Sequence, residues 1–294
     1  MDSHYDDILD LTGQEITKIK LKYAATEEEH RANTAHAVAL GYPCVERGSL
    51  TSEPLAVVCF GPSLRTTYRE IKHFDKVLSC SGAHRFLIDH GIVPTWHIEG
   101  DPRAHKAFFV KRPHKRVKYL IAASCHPALF NALKGYDVRL WHTLYSPKEL
   151  LTMGHYPVGH MVLTGGMNVG MRAMVMGRVL GFTDIHIFGM DCSAGETAFH
   201  ADEHPNEVPE KIYDEVKVGD HVFKTTELFL DYARQFFHEA IQLPDVRFTI
   251  HGDGLLHALM LDMERTPAKL QAFMDKRAEV KEVTYAVIVR REDQ

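Results

Sequence analysis

Four short segments hold the residues that could do chemistry in this chain. The first is Phe60-Gly61-Pro62-Ser63-Leu64, at the end of an apolar run. Gly61 permits close backbone approach or a positive φ. Pro62 suits the first turn of a helix, where no N–H is needed, and Ser63 brings a hydroxyl and an amide to that position. Amides and the helix dipole at such a start favour phosphate, so Gly61, Pro62, Ser63 and Leu64 are candidates to hold one. A plain strand-to-helix turn has the same composition, and the segment is neither a Walker A loop nor a G-x-G-x-x-G fingerprint. The second segment is Thr164-Gly165-Gly166-Met167-Asn168. A helix should follow it, with Val169, Ala173, Met176 and Leu180 on one face and Gly181 at its end. Thr164 is placed to cap that helix. Gly165, Gly166 and Asn168 offer a second backbone cradle for phosphate or ribose; tight helix–sheet packing is the alternative.

The third set is a pair of carboxylates, in Glu99-Gly100-Asp101-Pro102 and in Gly189-Met190-Asp191. Each follows a strand-like run, and open α/β sheets bind ligands beyond the carboxyl ends of their strands. Asp101 and Asp191 could meet in one cleft and hold Mg²⁺ against phosphates, or each could cap a neighbouring loop. The fourth is His200-Ala-Asp202-Glu-His204. Its alternating ligand types could bind a transition metal or place His200 as a general base or acid, and a solvated polar loop would look the same. A further loop, His251-Gly-Asp-Gly254, could border the same cleft. There is no G-x-S-x-G elbow, H-E-x-x-H pair or EF-hand loop.

These segments must be positioned by something, and the hydrophobic pattern says what. Short apolar runs at 55–60, 76–80, 95–99, 117–122, 138–142, 184–190 and 246–251 read as strands buried on both faces. Helical patterns and loops between them argue for an α/β, Rossmann-like, doubly wound and mostly parallel sheet. The core is expected over 51–262. Residues 1–50 form a polar helical addition ended by Gly41-Tyr42-Pro43, and 263–294 form an amphipathic helix followed by the alternating strand VTYAVIVR. That strand could add to a sheet edge or pair with another subunit, and either addition could serve a homo-oligomer.

Composition narrows the class. Of the 294 residues, 45% are hydrophobic and 25% charged, as in ordinary globular proteins. A net charge of -5 gives no global field for nucleic acid, and the basic run KRPHKRVK at 111–118 reads as a solvated surface. The five cysteines are odd in number, widely spaced and without a C-x-x-C pair, which fits buried free thiols in a reducing compartment and a cytoplasmic location. The N-terminus lacks the apolar region of a signal peptide. The uncharged stretch from Leu150 to Met171 holds five glycines and a proline, so it is not expected to span a membrane.

Taken together, CFGPSL, VLSCSGAHRFLIDHGIVPTWHIEGDP and TGGMNVGMRAMVMGRVLGFTDIHIFGMDCS, with His200 downstream, resemble the MptE-like family. That family is named for archaeal 6-hydroxymethylpterin diphosphokinase. Motility accessory factor proteins of flagellin glycosylation belong to the same broad group, and bacterial sialyltransferases are similar at greater distance. The resemblance covers about 54–255. It implies a Rossmann-like fold that binds a nucleotide through the 61–64 turn, with a site formed by Asp101, the 164–168 turn, Asp191 and His200. Where the family commonly has an Asn-containing turn after the second strand, this chain has Ser79-Cys80-Ser81-Gly82, so Ser81 takes that ligand-facing position. The implied activity is transfer from a nucleotide to a small hydroxyl acceptor. In one version diphosphate leaves ATP for a hydroxymethyl-pterin-like acceptor, with Mg²⁺ on Asp101 and Asp191. In another a nucleotide-sugar is the donor and His200 handles the proton. A non-catalytic nucleotide sensor or assembly protein is the third possibility.

Overall fold

The structure, a computed structural model, describes residues 24–143, 156–163, 166–196, 198–205, 214–280 and 286–289. Its centre is a nine-stranded sheet. The strands are β1 (Thr51–Val58), β2 (Lys76–Cys80), β3 (Trp96–Glu99), β4 (Lys118–Ala122), β5 (Asp137–Thr143), β6 (Met161–Leu163), β7 (Phe182–Phe188), β10 (Arg247–His251) and β11 (Ala286–Ile288). They lie in the order β10-β7-β1-β2-β3-β4-β5-β6-β11. All pair in parallel except β11, which runs antiparallel to β6. The chain steps outward from β1 to β6, then returns to lay β7 on the other side of β1. That reversal makes the β1/β7 boundary the topological switch point, where such sheets leave a crevice at the strand ends.

The expected strands all form: inner strands such as β2, β3 and β4 are apolar runs covered on both faces, whereas edge strand β10 buries only alternate residues. Along β1 the faces separate by period two. Leu55, Val57 and Cys59 join a large cluster on one side, while Ala56, Val58 and Phe60 join a smaller one on the other. The first side is covered by α5 (Val169–Val179), α6 (Glu227–Gln242) and α7 (Leu255–Arg265), the second by α2 (Leu64–Thr67) and α3 (Ala83–Asp89). Leu55 and Val57 are fully buried, each contributing about 1.5–3 kcal/mol by leaving water.

Several local expectations are corrected. Asn168, not Thr164, caps α5, its side chain accepting from the Met171 amide; Thr164 and Gly165 lie outside the described residues. Gly181 ends that helix at φ +101°. The uncharged stretch before it supplies β6, which its three residues were too short to announce. A hairpin of β8 (Asp214–Val218) and β9 (His221–Thr225) escaped the pattern as well, because only Val216 and Thr225 are buried in it. The described part of the N-terminal addition is helical, as expected, and packs on the core. Helix α1 (Glu27–Ala39) starts at a Thr26–Glu29 capping box. It packs toward α4 (Pro127–Ala132), with Ala37 in the main cluster and Asn33 donating to the Ser124 carbonyl. The last strand settles on its own sheet, as β11 on β6. Among the described residues, no helix is long and apolar enough to cross a membrane.

Helix α8 (Pro267–Glu279) has no fully buried residue, yet it closes the end of α6. The Arg277 guanidinium donates to the carbonyls of Ala240, Leu243, Pro244 and Val246 at 2.7–3.2 Å. Carbonyls at a helix end have no partner within the helix; Arg277 serves one of them, at Ala240, together with the C-cap Leu243 and the loop carbonyls that follow. Arg277→Met should lower unfolding stability by about 2 kcal/mol, as expected for losing charged hydrogen bonds. Urea unfolding measures it, and an unchanged midpoint would show that water serves those carbonyls equally well.

Candidate functional site

The turn after β1 is built by its contact with the turn after β7. Cys59 donates to the Phe188 carbonyl and Gly61 to the Gly189 carbonyl, both at 2.8 Å. Gly189 sits at φ +64°, and a side chain there would strike the Cys59 carbonyl. A side chain on Gly61 would strike the Asp191 carboxylate. The chain then passes Pro62 and presents Ser63 to Asp191. The Ser63 amide donates to one carboxylate oxygen at 2.9 Å and its hydroxyl to the other at 2.5 Å. Leu64 donates back to the Gly61 carbonyl. Every donor expected to cradle phosphate across Gly61, Pro62, Ser63 and Leu64 is therefore engaged within the protein. Helix α2 is one turn long, so its dipole is slight.

Asp191 stands where a phosphate was expected. It is 5% exposed. Burial pushes its carboxyl up to about 6, against the two Ser63 hydrogen bonds that pull it down, with Asp253 adding to the rise.

The second cradle is also engaged from inside. Gly166 donates to Glu239 at 2.9 Å and Met167 to Gln235 at 2.8 Å, both acceptors on α6. Arg172 donates from Nε to the Gly166 carbonyl and lies over the Trp141 ring. Asn168 is occupied as the helix cap.

The carboxyl end of β3 gathers charge. Glu99 is fully buried; its Oε1 accepts from the amides of Gly100 and Asp101. Asp101 is gripped by Arg103 through its amide, Nε and Nη2. Lys106, 6% exposed, lies 3.3 Å from Asp101 and 3.8 Å from Glu99, and donates to the Ser81 hydroxyl at 2.9 Å. Ser81 takes φ +48°, a left-handed conformation costly for a residue with a Cβ. Burial alone would raise Asp101, but the Arg103 hydrogen bonds, with Lys106 beside them, hold it down at about 2.

The histidine loop joins this end of the sheet. Ala201 donates to the Phe60 carbonyl and Arg65 to the Ala201 carbonyl. His200 then packs on Phe60, and His204 stacks on His200 with centroids 4.1 Å apart. His204 also approaches His105, in the Asp101 loop. Burial, with His200 and Lys106 nearby, keeps His204 down at about 3, so its imidazole is neutral.

The structure thus brings His200, His204, Ser81 and Asp101 to one end of the sheet, but it does not unite the two aspartates. Strands β3 and β7 are three positions apart, about 14 Å at normal strand spacing. Asp101 is turned to Arg103 and Lys106, Asp191 to Ser63. Among the described residues no group of three or more His, Cys, Asp or Glu is arranged to hold a metal ion. A Mg²⁺ ion shared by Asp101 and Asp191 does not fit this arrangement, and the His200–His204 segment does not form a transition-metal set. Arg103, Lys106 and the carboxylate of Glu239 were missed in the sequence; only the acid-then-base run Asp101-Pro-Arg-Ala-His-Lys106 hinted at the first two.

The family described as 6-hydroxymethylpterin diphosphokinase MptE-like matches residues 33–197. No curated protein matches the chain. Among solved structures, the MAf glycosyltransferase from Magnetospirillum magneticum AMB-1 shares 16% identity at a TM-score of 0.60. The match covers 89% of this chain but 43% of that one, so this chain spans less than half its length, and the likeness concerns the fold. A mammalian sialyltransferase, in complex with Gal-beta-1-3GalNAc-ortho-nitrophenol, shares 11% identity over 84% of this chain and 96% of that one, at a TM-score of 0.36, too low to carry an argument.

Asp191 gives a pH test. Folding raises its carboxyl from near 4 to about 6, so the folded state binds the proton more tightly than the unfolded chain. Its contribution is full below about pH 4 and is lost as pH rises through about 6. Asp191→Asn cannot ionise, so its stability should fall less than the wild type's over that window, by on the order of 2 kcal/mol. Urea unfolding across the window measures the two slopes; parallel slopes would mean that Asp191 ionises normally.

Proposed function

The chain belongs to the MptE-like family, and on that premise we propose that it is a nucleotide-dependent transferase, moving diphosphate from ATP to a hydroxymethyl-pterin-like or other small hydroxyl acceptor. The observation that carries this reading is the convergence beyond β1, β2 and β3 of charged and imidazole groups near a topological switch point. Arg103 and Lys106 supply positive charge, and His200 and His204 supply imidazoles beside it.

The proposed chemistry is an attack by the acceptor hydroxyl oxygen on the β-phosphorus. The new O–P bond forms as the bond to the α-phosphate oxygen breaks, and AMP leaves with that electron pair. His200 accepts the hydroxyl proton, and His204, held neutral, stacks on it and keeps its ring in place. Fixing the two reactants in line and neutralising phosphate charge provide most of the acceleration. Asp191 and Ser63 act at one remove in this scheme, by holding the turn that bears Phe60 and thus the floor under His200.

A second reading replaces ATP by a nucleotide-sugar. It is supported by the fold shared with a protein described as a glycosyltransferase, and one fold serves many chemistries. Thermal-shift measurements with ATP and with CMP-, UDP- and GDP-sugars separate the readings, since a ligand at 100 times its Kd stabilises by about 2.7 kcal/mol. Stabilisation by ATP, with AMP released once a hydroxymethyl-pterin is added, is the expected outcome. ATP bound but neither cleaved nor transferred would end the diphosphate version. A shift with a nucleotide-sugar alone would favour the second reading, and no shift with any donor would count against both.

A further inference from the structure

The charge cluster at the end of β3 has two layers. In the inner layer, Lys106 and Glu99 are both buried, 6% and 0% exposed. They lie 3.8 Å apart, and Glu99 Oε2 has no hydrogen bond of its own. Two opposite charges enclosed in this way balance each other and have nowhere to go. In the outer layer, the Asp101 side chain is 15% exposed and that of Arg103 is 46% exposed. Their bond is a two-pronged fork, Nε donating to Oδ1 and Nη2 to Oδ2, the geometry by which guanidinium also grips phosphate. Because Glu99 already neutralises Lys106, Asp101 is the anion that can leave without stranding a buried cation.

The turns that sequence alone marks for phosphate cannot receive it as they stand. The Ser63 donors are held by Asp191, and the amides of Gly166 and Met167 by Glu239 and Gln235. We propose that Asp101 is a place-holding counter-ion, and that phosphate groups of the nucleotide displace it to bind Arg103, backed by Lys106, beyond the end of β3. The inference rests on the transferase reading and adds to it the cationic residues that take the donor's charge. It gives Asp101 the opposite role to that of a metal ligand. A metal ligand assists nucleotide binding, whereas a counter-ion competes with it.

That opposition gives a test by sign. Inorganic pyrophosphate is titrated calorimetrically into the full chain in EDTA, as wild type, Asp101→Asn and Arg103→Gln, with thermal melts to show that each variant is folded. Asp101→Asn should bind at least about tenfold more tightly than wild type, because a like charge within a few ångströms of the ligand is gone. Arg103→Gln should bind at least about tenfold more weakly. Binding by Asp101→Asn that is equal to or weaker than wild type overturns the proposal, as does unaltered binding by Arg103→Gln. If wild type binds too weakly to measure, detectable binding by Asp101→Asn supports the proposal and its absence overturns it. The transferase reading is judged separately. Pyrophosphate bound with the expected signs, but no turnover of ATP or any nucleotide-sugar, would retire the reaction and keep the anion site.

Discussion

The arrangement of this cleft depends on one buried contact, the two hydrogen bonds from Ser63 to Asp191. They tie the turn after β1 to the turn after β7 across the reversal in strand order. The glycines nearby follow from it. Gly61 must leave room for the carboxylate, Gly252 for the Ser63 side chain, and Gly254 for the backbone of Asp191 itself. The short α2 then starts where the clamp directs it, and the loop carrying His200 is fastened to Phe60 and Arg65 beside it. A buried carboxylate without partners would be costly. Here both oxygens are satisfied by one residue, so the same bonds that fix the geometry also solvate the charge.

The two aspartates show how environment divides one residue type. Asp191 is surrounded by glycines, Ser63 and another acid, and burial raises it to about 6. Asp101 faces Arg103 and Lys106 and is held at about 2. At neutral pH Asp101 is an ion throughout, while Asp191 lies close enough to neutrality to feel small changes around it. Such a split is how proteins assign different duties to identical side chains.

Much of the frame was legible in the order of residues. Runs such as Leu55-Ala-Val-Val and Leu120-Ile-Ala122 read as strands because burial on both faces leaves no room for polar alternation. The strands that escaped were three-residue β6 and the mostly exposed β8–β9 hairpin, where too few buried positions exist to set a pattern. At the site, the types were legible and the pairings were not. A Gly-Pro-Ser turn announces donors, but only the fold tells whether they point at a ligand or at an aspartate 128 positions away. Lys106 was hidden for the same reason: an isolated lysine reads as surface until neighbouring strands place Glu99 and Ser81 against it. The caps of α1 and α6, by contrast, are local: Thr26 and Thr226 accept from amides three positions on, at Glu29 and Phe229.

The antiparallel pairing of β11 on β6 bears on how the molecule assembles. Strand β6 is the last parallel strand on its side, and it offers bare backbone until residues 286–288 arrive. During synthesis the helices and strands from β7 to α8 are made while that edge stands open. A newborn chain therefore passes through an interval in which that flank can pair with a stranger, the hazard of unpaired strands in slow-forming sheets. Residues 286–288 thus cover the β6 edge and leave in its place a three-residue edge strand, and a short edge is one way a sheet limits pairing with strangers.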